Sequence, residues 1–421
     1  MSHKVITVFE DRKQKVTLSQ TQINDILTFR SIIGNQYIRL DYDGILQIMH
    51  YVGFIAKGKT RLQILPKIYD DIDLDSEKEI RESMGVLFNL LKVSEFNKVL
   101  HLPNAQNNSL MEAELLEIFI SIFADHVFHT YSKRMNREYI EIEGNSQFVK
   151  GRIDFVKTIK NNFLRKDLHY ISYQSFEHDN LINNAVKTVV VKLLECTQSA
   201  DNKKNLKRAL MFLDDAREIE LSMPLLESVK FSRLNMDFKP VFDMARMFYQ
   251  NLQPENYIGD ETVFSFLIPV NDLYEYYLFK LIDGMEGYGA KHESTLHFAK
   301  TEDKRNILTI KPDILVYKGE RLILVVDAKY KNPGYGNGMF NNISRDDIYQ
   351  VFAYGKAYGV KTVALIYPLF CKLPIESKTV IIKDSYGEMH LHIICVDIKN
   401  PDVEDVRQKL KEQIEASYCR I

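Results

Sequence analysis

Asp313, Asp327 and Lys329 have the residue types and spacing that most directly suggest chemistry in this 421-residue chain. Side chains alternate along a β-strand, so Asp327 and Lys329 share one face while Ala328 points to the other. The run before them, Leu322-Ile323-Leu324-Val325-Val326, is apolar on both faces, as expected of a central strand covered by helices. A carboxylate and an ammonium at the end of such a strand need a reason. Asp313 follows Pro312, fourteen residues before Asp327, and Lys318-Gly319-Glu320 can turn the chain between them. If Asp313 lies on the neighbouring strand, the two carboxylates converge on one hard divalent cation. Oxygen ligands favour Mg²⁺, with Mn²⁺ as a substitute. Lys329 can then position or activate an attacking water, or stabilise charge building on a phosphate.

The order Pro312-Asp313, then Asp327-x-Lys329, resembles the PD-(D/E)xK signature of restriction-type nucleases. A bare D-x-K is common on surface strands; the preceding Pro-Asp, the apolar strand and the helix that follows make the combination specific. That helix is expected from about Arg345, with Ser344 as N-cap, Asp347 closing an approximate capping box, and Gly359 as the left-handed C-terminal residue. It carries Gln350 and Tyr354 on one face, four residues apart, and resembles the Q-x-x-x-Y element of nucleases related to the RecB nuclease domain. Gln350 then orients the water or contacts the scissile nucleotide, or is a surface residue. Tyr354 supports it, or packs in the core with a satisfied hydroxyl. A third carboxylate is expected from Glu275, on an otherwise apolar helix. It either enters the site or faces solvent beside Lys280, and Glu286 and Glu293 are weaker substitutes. The loop Asn332–Asn342 holds three alternating glycines and reads as a strap near DNA or a plain connector. It is not a P-loop, and no other nucleotide-binding signature occurs.

The elements that must position these residues divide the chain into three expected regions. Residues 1–95 form a small β-rich N-terminal domain, in which short β-like runs from Lys4 to Ile68 are followed by the acidic stretch Asp70–Glu77, a solvated helix start or a binding strip. Residues 96–255 are mainly helical, with helices near 110–133, 180–196, 203–216 and 240–252 and an inserted strand or hairpin at 139–142 and 148–155. Residues 256–421 alternate helix and strand signals, including one β-like run over 307–317, and should form an α/β domain with a central mixed sheet flanked by helices. The fold class is thus α+β and multidomain. Lys+Arg 55 against Asp+Glu 57 gives a net charge of -2, which excludes a polycation and confines any nucleic-acid contact to a local patch or a partner. Cys196, Cys371, Cys395 and Cys419 show no CxxC or paired spacing, so neither zinc nor a disulfide framework is indicated. With no signal peptide and no long apolar run, the cytoplasm is the expected location and no membrane contact is expected.

These features together resemble the McrC family, the nuclease subunit of modified-cytosine restriction systems. Tyr51-Val52-Gly53-Phe54-Ile55 followed by Leu62-Gln63-Ile64-Leu65-Pro66-Lys67-Ile68 is similar to the family's N-terminal hairpin ending in Pro-Lys. Val149-Lys150-Gly151-Arg152-Ile153 and Asp179-x-x-x-Asn183 match middle-region patterns, although such elements also serve as turns and caps. The resemblance implies a C-terminal restriction-endonuclease-like domain in which Asp313, Asp327, Lys329, Gln350 and Glu275 are catalytic and Asp313, Asp327 and Glu275 hold Mg²⁺. It also implies a partner: a McrB-like, GTP-hydrolysing AAA+ hexamer. That ring reads double-stranded DNA, is contacted by residues 1–95, and has its GTPase stimulated by this chain. The tip Lys57–Arg61 is a solvated hairpin or a probe of that ring. Two alternatives are a free-standing nuclease of the same superfamily and a non-catalytic scaffold of an AAA+ ring.

Overall fold

The computed structural model describes residues 5–57, 60–68, 76–93, 114–251, 263–300, 306–336, 339–340, 343–370, 377–385 and 387–418. Most of the acidic stretch, the centre of the hairpin tip, part of the glycine-rich loop, Cys371, Cys419 and both expected boundaries, near 95 and 255, lie outside them. The chain forms two compact units, Met1–Leu115 with Ile258–Ile421, and Leu116–Tyr257. The expected 1–95 and 256–421 regions therefore fall within one unit, and one strand explains why.

That strand, Val263–Pro269, completes a four-stranded sheet with Ile6–Phe9, Thr60–Leu65 and Tyr51–Lys57. It runs antiparallel to Tyr51–Lys57, from Val263 opposite Lys57 to Pro269 opposite Tyr51. Gly53 is needed there: its φ is +130°, and a Cβ would meet the Phe266 carbonyl oxygen at 1.9 Å. Ile6, Val8, Ile55, Leu62 and Ile64 pack with Ile26 and Phe29 of helix Gln20–Ile33 to form this end's core. Helix Val270–Asp283 then follows with no intervening residue, and Val270 N–H donates to the His50 carbonyl at 2.9 Å.

The second sheet has six strands, in the order Gly289–His292, Ile314–Lys318, Arg321–Ala328, Thr362–Pro368, Gly387–Val396 and Lys378–Asp384. It is mixed: Arg321–Ala328 lies antiparallel to Ile314–Lys318 and parallel to Thr362–Pro368. The run expected over 307–317 is two strands, Asn306–Ile310 and Ile314–Lys318. Pro312 between them has no N–H to give a ladder. Helix Arg345–Tyr358 packs on the sheet through Val351 and Tyr354 against Val325, Val363 and Leu365. Helix Val270–Asp283 packs on Arg321–Ala328 and on helix Val403–Tyr418.

In the unit Leu116–Tyr257, helices Leu181–Cys196, Ala200–Met211 and Lys239–Asn251 join most of Leu115–Lys133 around a core that includes Phe123 and Phe248, 5.2 Å apart. The expected insertion is a three-stranded antiparallel sheet of Glu138–Ser146, His169–Glu177 and Arg152–Ile153. Around it Phe148, Phe155, Phe163 and Leu164 are largely exposed, an apolar surface of the kind that meets a partner. The middle-region motifs have structural roles. Gly151 has φ +73° with the Ser172 carbonyl too close for a Cβ. Asn180 caps its helix, and buried Asn183 accepts from the Tyr131 hydroxyl at 2.8 Å. Among the described residues no helix is long and apolar enough to cross a membrane.

Candidate active site

The ladder register decides which side chains meet. Ile314 pairs with Val326 and Leu315 with Val325, so one step further sets Asp313 opposite Asp327. Both share the face of Leu315 and Val325, which is covered by helix Arg345–Tyr358. Asp313 Oδ2 accepts from the Ala328 N–H at 2.6 Å, locking the turn before one strand to the end of the other. Lys329 Nζ lies 2.7 Å from Asp327 Oδ2 and donates to Gln350 Oε1 at 3.0 Å. Gln350 Nε2 donates in turn to the Tyr354 hydroxyl at 2.9 Å. One helical turn therefore separates the groups that aim the lysine, as the four-residue spacing predicts.

The capping box of this helix forms as expected, with Ser344 as N-cap, Asp347 as its partner, and Gly359 left-handed at the far end. Asp347 also accepts from Lys331 Nζ at 2.6 Å and stands 3.9 Å from Lys329 Nζ. The sequence marks Asp347 only as a capping residue and does not mark Lys331; the alternation Asp327, Lys329, Lys331 was the available signal for their pairing. Tyr330, between the lysines, donates its hydroxyl to the Lys67 carbonyl at 3.0 Å. This ties the Pro66-Lys67 segment to the chain just after strand Arg321–Ala328.

Electrostatics single out the same cluster. Burial, then the charges of Asp327 and Glu275, push the Asp313 carboxyl up to about 8. Asp327, 1% exposed, is raised chiefly by burial, although Lys329 opposes the shift. Burial alone would lower the Lys329 ammonium, but the charge and hydrogen bond of Asp327, with Asp347 and Asp313 behind, hold it above its ordinary value. Lys329 is thus a cation and a proton donor near neutrality. Asp347 stays low: burial opposes this, but bonds from Lys331 and Ser344 outweigh it. Two adjacent, poorly solvated carboxylates at a strand end are a donor set suited to a hard divalent cation, whose charge would relieve both.

Glu275 is carried on helix Val270–Asp283. It senses Asp313 and Asp327 electrostatically, but stands against His292, with Nε2 2.8 Å from Glu275 Oε1. Burial, followed by Glu293 and Asp272, pushes its carboxyl up to about 7. Among the described residues, the His and carboxylate groups with three ligand atoms mutually within 4.8 Å are Glu275-His292-Glu293 and Glu10-Asp11-His50. Asp313, Asp327 and Glu275 do not form such a closed group. His292 gave no sequence signal, because it meets Glu275 only in the tertiary fold, where Gly289–His292 packs back on helix Val270–Asp283 and pairs with Ile314–Lys318.

Comparison with known proteins bears on the fold and the family. No curated protein matched. Among solved structures, a chain of the half-complex described as a tetradecameric assembly of Thermococcus gammatolerans McrB AAA+ hexamers with bound McrC superposes with a TM-score of 0.74 at 20% identity. The match covers 97% of this chain and 100% of that one. A chain of the Thermococcus gammatolerans McrBC complex gives 0.51 at 20% identity over 67% of this chain and 88% of that one. At such identity these matches speak for the fold alone. The family model described as McrBC 5-methylcytosine restriction system component matches residues 46–368, spanning the N-terminal sheet, the helical unit and the Asp313–Tyr354 cluster, and the chain belongs to that family.

Proposed function

We propose that the chain is the DNA-cutting subunit of a McrBC-type restriction system: a metal-dependent endodeoxyribonuclease of PD-(D/E)xK type that hydrolyses modified, methylcytosine-containing DNA. The reading rests on the hydrogen-bonded and ion-paired series Tyr354, Gln350, Lys329, Asp327, with Asp313 bonded to the Ala328 N–H beside it. Asp313 and Asp327, with Glu275 nearby, would hold Mg²⁺ or Mn²⁺, which when bound supplies Lewis-acid polarisation of the scissile phosphate and a more acidic water. Lys329, kept as an ammonium, donates to a phosphate oxygen and stabilises the charge that builds there. Gln350 holds that ammonium in line, and Tyr354 fixes the Gln350 amide so that its oxygen faces the lysine. Lys331, held by Asp347, offers a second cation to the DNA backbone.

The Thermococcus gammatolerans assembly contains McrC bound to McrB AAA+ hexamers, and the same partnership is proposed here, with the GTPase of the ring stimulated by this chain in the cytoplasm. Ring contact is assigned to residues 1–95, and the exposed apolar surface around Phe148 and Phe163 is the competing place for it. The test is to mix the purified chain with its candidate AAA+ partner, GTP, Mg²⁺ and methylated or unmethylated plasmid, omitting one component at a time. Cleavage that needs both proteins and GTP supports the proposal. Cleavage by the chain alone means a free-standing nuclease, and none under any condition means a scaffold.

A further inference from the structure

Strand parity separates two sets of ligands at the end of the six-stranded sheet. Asp313 and Asp327 lie on the face covered by helix Arg345–Tyr358. His292, in register with Ile314 and hence with Val326, belongs to the opposite face. Glu293, one residue beyond that strand, has φ 53° and is bonded through its N–H to the Asp313 carbonyl at 2.9 Å. It therefore stands next to Asp313, yet its carboxylate reaches the His292 and Glu275 group.

The imidazole is firmly placed. It stacks on Phe279 with ring centroids 5.1 Å apart and meets Tyr276 edge-on at 5.6 Å, and both rings come from the helix that carries Glu275. Its Nε2 approaches Glu275 Oε1 closely but off-line; it is closed to solvent and has no hydrogen-bond partner among the described residues. A shielded ring nitrogen facing two carboxylates is a mixed nitrogen and oxygen donor set. Imidazole favours first-row transition cations, whereas Mg²⁺ and Ca²⁺ prefer oxygen alone.

We propose that Glu275, His292 and Glu293 form a second cation site, beside Asp313 and Asp327, selective for a transition cation such as Mn²⁺ over Mg²⁺. The proposal rests on the nuclease reading only for what the second ion would do beside the first. Lys311 is its competitor: its ammonium lies 2.6 Å from Glu293 Oε1, with both side chains about half exposed. So exposed a pair is weak, and a divalent ion displaces it.

The test uses the full chain, stripped with chelator and titrated with Mn²⁺ while the free-ion EPR signal is followed, with and without excess Mg²⁺. The expected result is two Mn²⁺ per chain, one of them resistant to Mg²⁺. His292→Phe, which keeps a ring against Phe279 but offers no donor, should weaken the resistant site at least about tenfold. Lys311→Gln, which removes only the exposed competitor, should tighten it roughly twofold to fivefold. Absence of a resistant ion in the wild type, or its undiminished binding in His292→Phe, overturns the proposal. A resistant ion that His292→Phe removes, in a chain that never cuts DNA, keeps this site and sinks the nuclease. DNA cleavage with no resistant ion does the reverse.

Discussion

Asp313→Asn should stabilise the metal-stripped protein while removing the DNA cleavage proposed for it. The asparagine Oδ1 can still accept from the Ala328 N–H that Asp313 now holds at 2.6 Å, so the turn keeps its lock. What disappears is a carboxylate raised to about 8 by burial and by the charges of Asp327 and Glu275. A carboxyl raised in the native state takes up a proton that the unfolded chain, with a value near 4, releases. Its favourable contribution is therefore complete below about pH 4 and is lost as pH rises through about 8. If Asp313 bore the whole rise, the ceiling would be about 6 kcal/mol. Because Asp327 and Glu275 share the repulsion and can take up protons in its place, about 2 kcal/mol is expected, or roughly 3–6 °C in Tm for a unit of this size. Scanning calorimetry in chelator from pH 4 to pH 9 measures it. The gap between variant and wild type should be small near pH 4, grow with pH and level off above about 8. Excess Mg²⁺ should then raise the wild-type midpoint and leave the variant nearly unchanged. A gap independent of pH, or equal rescue of both proteins by Mg²⁺, would refute the reasoning.

Asp327→Ala removes the partner of Lys329 and a proposed metal ligand together; cleavage should drop below detection while binding to the AAA+ ring, read by co-elution, is unchanged. Tyr354→Phe deletes only the hydroxyl that anchors Gln350. A lost hydrogen bond of about 1 kcal/mol predicts roughly fivefold slower single-turnover cleavage, with Mn²⁺ affinity unaltered. Gly53→Ala sets a methyl against the Phe266 carbonyl oxygen in a backbone of positive φ. A loss of about 3 kcal/mol or more is expected in chemical denaturation, together with weaker cleavage, since the displaced strand leads into the Glu275 helix.

The cluster of Asp327, Lys329, Gln350 and Tyr354 was legible as a spatial group because its spacing is local. Asp327 and Lys329 are bound to one face by strand alternation, Gln350 and Tyr354 by helical periodicity, and the ends of their helix by Ser344 and Gly359. The helix that carries Glu275, Val270–Asp283, was likewise readable from its apolar faces. What could not be read depends on distant pairing. His292 reaches Glu275 once Gly289–His292 packs back on helix Val270–Asp283 and pairs with Ile314–Lys318, and nothing near His292 in sequence marks that register. The merger of the expected first and third regions rests on Val263–Pro269 pairing with Tyr51–Lys57, about two hundred residues away. The break after Ile310 was present in the sequence as Pro312, whose missing N–H was read as part of a motif rather than as the end of a strand.

The Val263–Pro269 strand also sets an order in time. On a ribosome adding about 5–20 residues per second, Tyr51–Lys57 emerges roughly 10–40 s before the strand that must lie against it. In that interval the partial sheet exposes an unpaired edge built from Val52, Phe54 and their neighbours, a template for pairing with other chains or for a holding chaperone. The unit Leu116–Tyr257, with its own core, can close while the edge waits. The newborn polypeptide thus acquires its insert first and the proposed active site last, since Glu275, Asp313, Lys329 and Gln350 all follow the strand that closes the sheet.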